Sequence, residues 1–287
     1  MRTLYLSLLS GILSIILPLF LDYKLIWTFI PGVLTGVLVF VYLNRKYGKK
    51  IEQLLNEANQ ELQSAQEMAQ RANAQANPVA MKAAQQLMEK KTEHAVEILK
   101  RGLEYSDWQL GSRASLNAQI GMVIFSNNIF QAAQGQKNKL GDAIPYLEES
   151  LVKGMWANLL KALWHAWLRL AVCHFRVTQD FASVTRVMEQ VCSAARTEGF
   201  VWSVYGWFYM QKKQRTEAIE VLARGLEESK DPQLKANLEA LQNGKSLKMG
   251  DYGNLWWSLG LELPKHMMAR AQSMGHPRMK TGSRARR

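Results

Sequence analysis

The sequence predicts an all-α chain: two transmembrane helices, a helical stalk, then an α-solenoid of about four helix pairs with a C-terminal capping helix. Three observations carry that expectation. Two long runs near the start hold no charge, a heptad-like spacing follows them, and one phrase is written twice. AVEILKRGLEYSD begins at Ala95 and AIEVLARGLEESKD at Ala218, 123 residues later, with eight of the first twelve positions identical. Seven prolines and few runs of period two leave little room for an all-β chain.

The uncharged runs cover residues 4–20 and 25–43, inside a hairpin region of residues 1–46. A helix rises about 1.5 Å per residue, so roughly 20 residues cross about 30 Å of hydrocarbon. A cleaved leader is one alternative for the first run, although its positive region is Arg2 alone and no small-residue cleavage site follows. An apolar helix pair outside any membrane is another. Arg45, Lys46, Lys49 and Lys50 crowd the end of the second run. The positive-inside rule then expects a multi-pass inner-membrane protein with both termini cytoplasmic. Gly32 and Gly36 form a GxxxG, and Gly11 pairs with Ser7 at the same spacing. Such spacings let helix backbones approach, either within the hairpin or between copies of the chain.

A stalk is expected over residues 47–77. Apolar residues fall at 51, 55, 58, 62, 65, 69, 72 and 76, the alternating spacing of a heptad seam. Five of the eight are alanine, so the seam is thin. It admits a coiled-coil dimer, or a helix that runs on into the next domain. Pro78 suits the first turn of a new helix.

The repeated phrase has further renderings between its two copies. WLRLAVCHFRVTQDFASVTRVMEQ from Trp167 and WSVYGWFYMQKKQRTEAIEVLARG from Trp202 align at an offset of 35 residues. They pair Leu170 with Tyr205, Ala171 with Gly206, His174 with Tyr209, Ser183 with Ala218, and Val187 with Leu222. A fixed period of this length marks a solenoid of helix pairs. The pattern resembles the tetratricopeptide repeat: large at position 4, apolar at 7, small at 8, aromatic at 11, then small, large and small at 20, 24 and 27. Ala83, Ala95, Leu99 and Gly102 supply positions 8, 20, 24 and 27 of a first unit. Ile120, Gly121, Ile124, Ala143, Leu147 and Ser150 supply a second, stretched by an insertion near SNNIFQAAQGQKNKLG. The match covers residues 78–250. It departs from the family at Gln190, where a small residue is expected, and at Pro232, two residues late. Asp231, Pro232 and Gly244 read as the cap, first turn and stop of a final helix.

Nothing in the chain reads as an enzyme. Cys173 and His174 are adjacent, hence about 100° apart on a helix, and they do not face each other. Cys192 has no partner at disulfide or metal spacing, and phosphate-loop, dinucleotide and zinc-protease motifs are absent. No cofactor is expected. The resemblance instead implies a groove lined by A helices at unit positions 2, 5, 9, 12 and 13. It places Met122 and Phe125 there from the second unit, and His165, Leu168, Phe175 and Arg176 from the third. Ser203, Trp207, Met210 and Gln211 come from the fourth, with Arg169 and Lys212 alongside. That lining suits a peptide or helix with hydrophobic anchors and an acidic end. Several of these side chains could equally pack against the chain itself.

The net charge is +12, and residues 251–287 hold five of those charges with seven basic and two acidic groups. An aromatic segment, 251–264, carries Trp256, Trp257, Leu259, Leu261 and Leu263, too apolar to float free. It is expected to dock on the last repeat, with a membrane interface or a partner as alternatives. A basic disordered tail, 265–287, holds Arg270, Arg278, Lys280, Arg284, Arg286 and Arg287, suited to anionic lipid or an acidic partner. Nucleic acid is disfavoured, because no aromatic–basic recognition motif accompanies these charges. The function expected is a membrane-anchored scaffold or adaptor holding a protein partner within a multiprotein complex. A structural subunit packing through hairpin and stalk, and a periplasm-facing chaperone, are the alternatives.

Overall fold

The computed structural model describes residues 2–19, 25–74, 78–109, 111–133, 139–151 and 161–262; within these, the side chains of 17–19, 25–31, 69, 72–74, 78–82 and 130–133 are left aside. Every regular element among the described residues is helical. Among the described residues no helix is long and apolar enough to cross a membrane. The two expected transmembrane helices, and with them the multi-pass inner-membrane location and cytoplasmic termini, are therefore withdrawn. Helix α1, Arg2–Leu19, begins on a charged residue, and its 18 residues rise about 27 Å, short of a bilayer core. Its Ser7, Ser10 and Ser14 hydroxyls bond back to the carbonyls of Leu4, Ser7 and Ser10. Helix α2, Leu25–Ala74, does not end where its apolar run ends but carries Arg45, Lys46, Lys49 and Lys50 onward in one 50-residue rod. Lack of charge over a window is thus a weaker criterion than a whole helix that is apolar.

The glycines singled out by their spacing do pack helices, and they pack α1 on α2. A Cβ on Gly11 would lie 3.1 Å from the Gly32 carbonyl oxygen, and one on Gly36 would lie 3.0 Å from that of Ser7. Only the absence of side chains permits that backbone contact.

The expected stalk is the first half of another hairpin. Helix α3, Pro78–Leu103, runs back along α2 as one continuous helix of 26 residues. Ile51, Ala58 and Ala65 of the heptad seam are buried, and Leu55 and Leu62 pack with them on Ala95, Val96, Ile98 and Leu99. Lys91–Glu61 at 2.7 Å and Arg101–Glu57 at 3.4 Å lace the antiparallel pair. Ala83 and Ala95 therefore lie on one helix, not on two that cross. Residues 69, 72 and 76 of the seam lie outside the described side chains.

Helix α4, Ser112–Ala133, joins the two hydrophobic clusters: Leu116 and Ile120 face α3, while Ala118, Phe125 and Ile129 face onward. Then follow α5 (Ile144–Glu149), α6 (Trp164–Cys173), α7 (Phe181–Ala194), α8 (Gly199–Gln211), α9 (Arg215–Ser229) and α10 (Pro232–Gln242). The repeat positions meet across these pairs. A Cβ on Gly121 would strike Leu147, one on Gly206 would strike Leu222, and one on Gly225 would lie 2.4 Å from the Trp202 ring. So position 8 opposes 24, and position 27 opposes 4. Asp231 caps α10 by accepting from the amides of Gln233 and Leu234, and Gly244 ends it at φ +79°.

Candidate functional site

Helix α8 reads FVWSVYGWF, and everything from Gly199 to Phe208 is buried. A helix apolar on every side needs cover on every side. On one flank it has α9 and α10. On the other, where the groove was expected, it has the chain's own residues 249–262.

After α10 the chain turns back through Met249–Tyr252, passes Gly253, forms the short α11, Asn254–Trp257, and continues to Glu262. Trp256, Leu259 and Leu261 are buried to 5 % exposure or less. Tyr252 sets the entry: its hydroxyl lies 2.8 Å from Ser203 Oγ and its ring packs edge-on against Phe200. Asn237 of α10 bridges the same point, donating to Ser203 Oγ and accepting from the Lys248 amide at 2.8 Å. Further along, the Trp256 ring meets Trp207 edge-on at 5.3 Å, and Phe175 also meets Trp207 edge-on, at 5.6 Å. Both indoles donate to one carboxylate: Trp207 Nε1 to Glu262 Oε1 and Trp256 Nε1 to Glu262 Oε2, each at 3.2 Å. Arg176 donates to the carbonyls of Gly260 and Leu261, at 2.9 and 2.7 Å. Gly260, at φ +58°, lies so close to Ile129 that a Cβ would be 2.4 Å from its Cγ1.

Three residues expected on the groove therefore act together on one segment, Arg176, Ser203 and Trp207, and a fourth, Phe175, packs against Trp207 and Phe208. Others do not join them. Leu168 and Phe125 are core residues, the latter under the Arg169 guanidinium at 5.7 Å. Burial pushes the Arg169 and Arg176 guanidinium groups down from their ordinary range. His165 is exposed and stacks on Trp164, and desolvation with the nearby Arg169 charge lowers its pKa. Met210 is half-buried, while Gln211 and Lys212 form an exposed rim, with Lys212 Nζ over the Phe181 ring. Met122 faces away, into a separate groove of about 720 Å³ between α2, α3 and α4 that Leu62, Met88 and Leu99 also line.

Tyr252, Asn237 and Glu262 were not singled out in the sequence. Glu262 had one signal, an acidic residue closing an aromatic stretch, but its two indole donors lie 6 and 55 residues away. Arg270, Arg278, Lys280, Arg284, Arg286 and Arg287 lie outside the described residues, as does Leu263.

Cys173 and Cys192 are buried, and burial pushes the Cys173 thiol up to about 12 and that of Cys192 higher still. A thiol so raised is a poor nucleophile at neutral pH. Among the described residues no group of three or more His, Cys, Asp or Glu side chains could hold a metal ion. No protein-family model, curated protein or solved structure matches the chain.

Proposed function

We propose that the protein is a scaffold or adaptor of tetratricopeptide type that binds a protein partner on the face formed by α8 and the π-helical turn His174–Thr178 that follows α6, within a multiprotein complex. The observation that supports this reading most is the Arg176 pair of bonds to the successive backbone carbonyls of Gly260 and Leu261, where the turn after α11 ends. Side chains of one helix reading another segment's backbone, with aromatic anchors beside them, is how helical grooves hold peptides. The exposed rim of Gln211 and Lys212 offers a partner a place to start. A photo-crosslinking amino acid at Gln211, in the full chain in its native cell, tests the reading. A partner identified there should also bind the purified chain and lose at least about tenfold in affinity on Arg176→Ala, roughly 1.4 kcal/mol. A partner captured as well from exposed Glu228, and indifferent to Arg176, would contradict it.

A second reading rests on a different surface. Tyr5, Leu8, Leu9, Leu13, Leu34, Val37, Leu38 and Tyr42 are all more than half exposed on the α1–α2 hairpin. An apolar face of this extent suits packing against other protein subunits. Leu13→Asp with Leu38→Asp should then dissolve a complex that Arg176→Ala leaves intact.

A further inference from the structure

Residues 249–262 fill the face that the repeat pattern assigns to a ligand, and the way they fill it describes what the face accepts. The segment offers one indole to Trp207, leucine knobs at 259 and 261, two carbonyls to Arg176 and one carboxylate shared by two indole N–H groups. Nothing in that set depends on the segment being part of this chain. It is held at two places of different kind. Residues 248–252 are tied to α8 and α10 through Asn237, Gln233 and Ser203. Beyond Gly253 the hydrogen bonds that hold the segment to the rest of the chain come from Arg176 and Trp207, with Gly260 packed on Ile129 of α4. Gly253 itself sits at φ +57° and ψ −128°, a conformation that is essentially glycine's. No atom crowds it, so the glycine is required by the backbone path and not by space.

Resting on the groove reading above, we propose that residues 254–262 are an internal stand-in for the partner. The partner then carries a tryptophan, followed by apolar knobs three and five residues on and a carboxylate one residue further, and it displaces this segment by competition. A tethered occupant acts at an effective concentration on the order of millimolar, so it masks the groove from a free peptide at micromolar levels. Weakening the tethered occupant raises the apparent affinity for a free one in proportion to the fraction of open groove.

The test uses the full chain and a labelled synthetic peptide of residues 249–262. Two variants loosen the docked segment without opening a cavity: Gly253→Ala, where a side chain has room but the backbone does not, and Glu262→Lys, at an exposed side chain that holds both indoles. Circular dichroism checks the fold of each. Every folded variant should bind the peptide at least about tenfold more tightly than the unaltered chain. A peptide with glutamine in place of its final glutamate should bind Gly253→Ala roughly tenfold more weakly. Folded variants that gain no affinity would overturn the proposal and make the segment a fixed cap. A concentration-dependent dimer of Gly253→Ala that excludes the peptide would overturn it in favour of exchange between copies. If the peptide fails while a partner is still captured at Gln211 in an Arg176-dependent manner, this inference alone falls. If capture is lost as well, the groove reading falls with it.

Discussion

Gly225 has the rigid Trp202 ring against it, whereas Gly206 faces the flexible end of Leu222. The two should respond differently to alanine. Gly225→Ala must move an indole in a packed core and should cost about 1–3 kcal/mol in urea unfolding, and Gly206→Ala less, because Leu222 can change rotamer. His174 makes a second prediction at this scale. It takes the position usually given to an aromatic, is 5 % exposed, and lies 3.4 Å from Glu148 Oε1 without a well-aligned bond. Burial lowers its pKa from the ordinary 6.5, opposed by the Glu148 and Asp180 charges and reinforced by Arg186. A histidine depressed in the folded state contributes in full above about pH 6.5; that contribution declines as pH falls toward its folded value. His174→Phe should therefore flatten the loss of urea stability between about pH 7 and about pH 5, while the unaltered chain loses more. An equal slope in both would show that the imidazole stays solvated.

Helices were legible where the phrase repeats and misread where one pattern fits two arrangements. The small and large positions of α8, α9 and α6, α7 alternate across a turn, so their partners could be named from residues alone. Ala83 and Ala95 fit the same template, yet Pro78–Leu103 is unbroken, because no glycine or proline interrupts it and α2 already supplies the facing helix. The seam over 51–76 suggests a stalk for the same reason: periodicity reveals an apolar face but not what covers it. Ala58 lies at 1 % exposure against α3, so Ala58→Glu would bury a charge without a partner. It should destabilise by roughly 3 kcal/mol or more with melting independent of protein concentration. A concentration-dependent midpoint would point to a seam between chains. At the other end, Asp231→Ala should cost about 1 kcal/mol through loss of the α10 cap.

Across the molecule, the charged end of the apolar hairpin is fixed to the body by an aromatic cluster. Tyr47 stacks on Trp108 at 4.6 Å and on Tyr105, with Lys50 over Tyr105 and Arg2 over Trp108. From α2 to α10 the stack holds two hydrophobic clusters joined at α4, and the last helices are covered by a segment with no periodicity of its own. That segment explains why the site was only half readable. A-helix positions follow from the repeat, so Phe175, Arg176, Ser203 and Trp207 could be listed in advance. An irregular stretch has no register in sequence, and the meeting of Trp207 with Glu262 depends on a turn through Gly253 and Gly260 that no spacing encodes. Composition did mark the stretch as too apolar to stay in water.

The central claim is that residues 254–262 occupy a groove as a separable ligand-like segment. Hydrogen–deuterium exchange on the full chain, unaltered and with Gly253→Ala, tests it most directly. Exchange should be faster in the variant across 254–262 alone, while α7, α9 and α10 keep their protection. Exchange of 254–262 at the same rate as those helices, in both proteins, would make the segment part of the core and contradict the account.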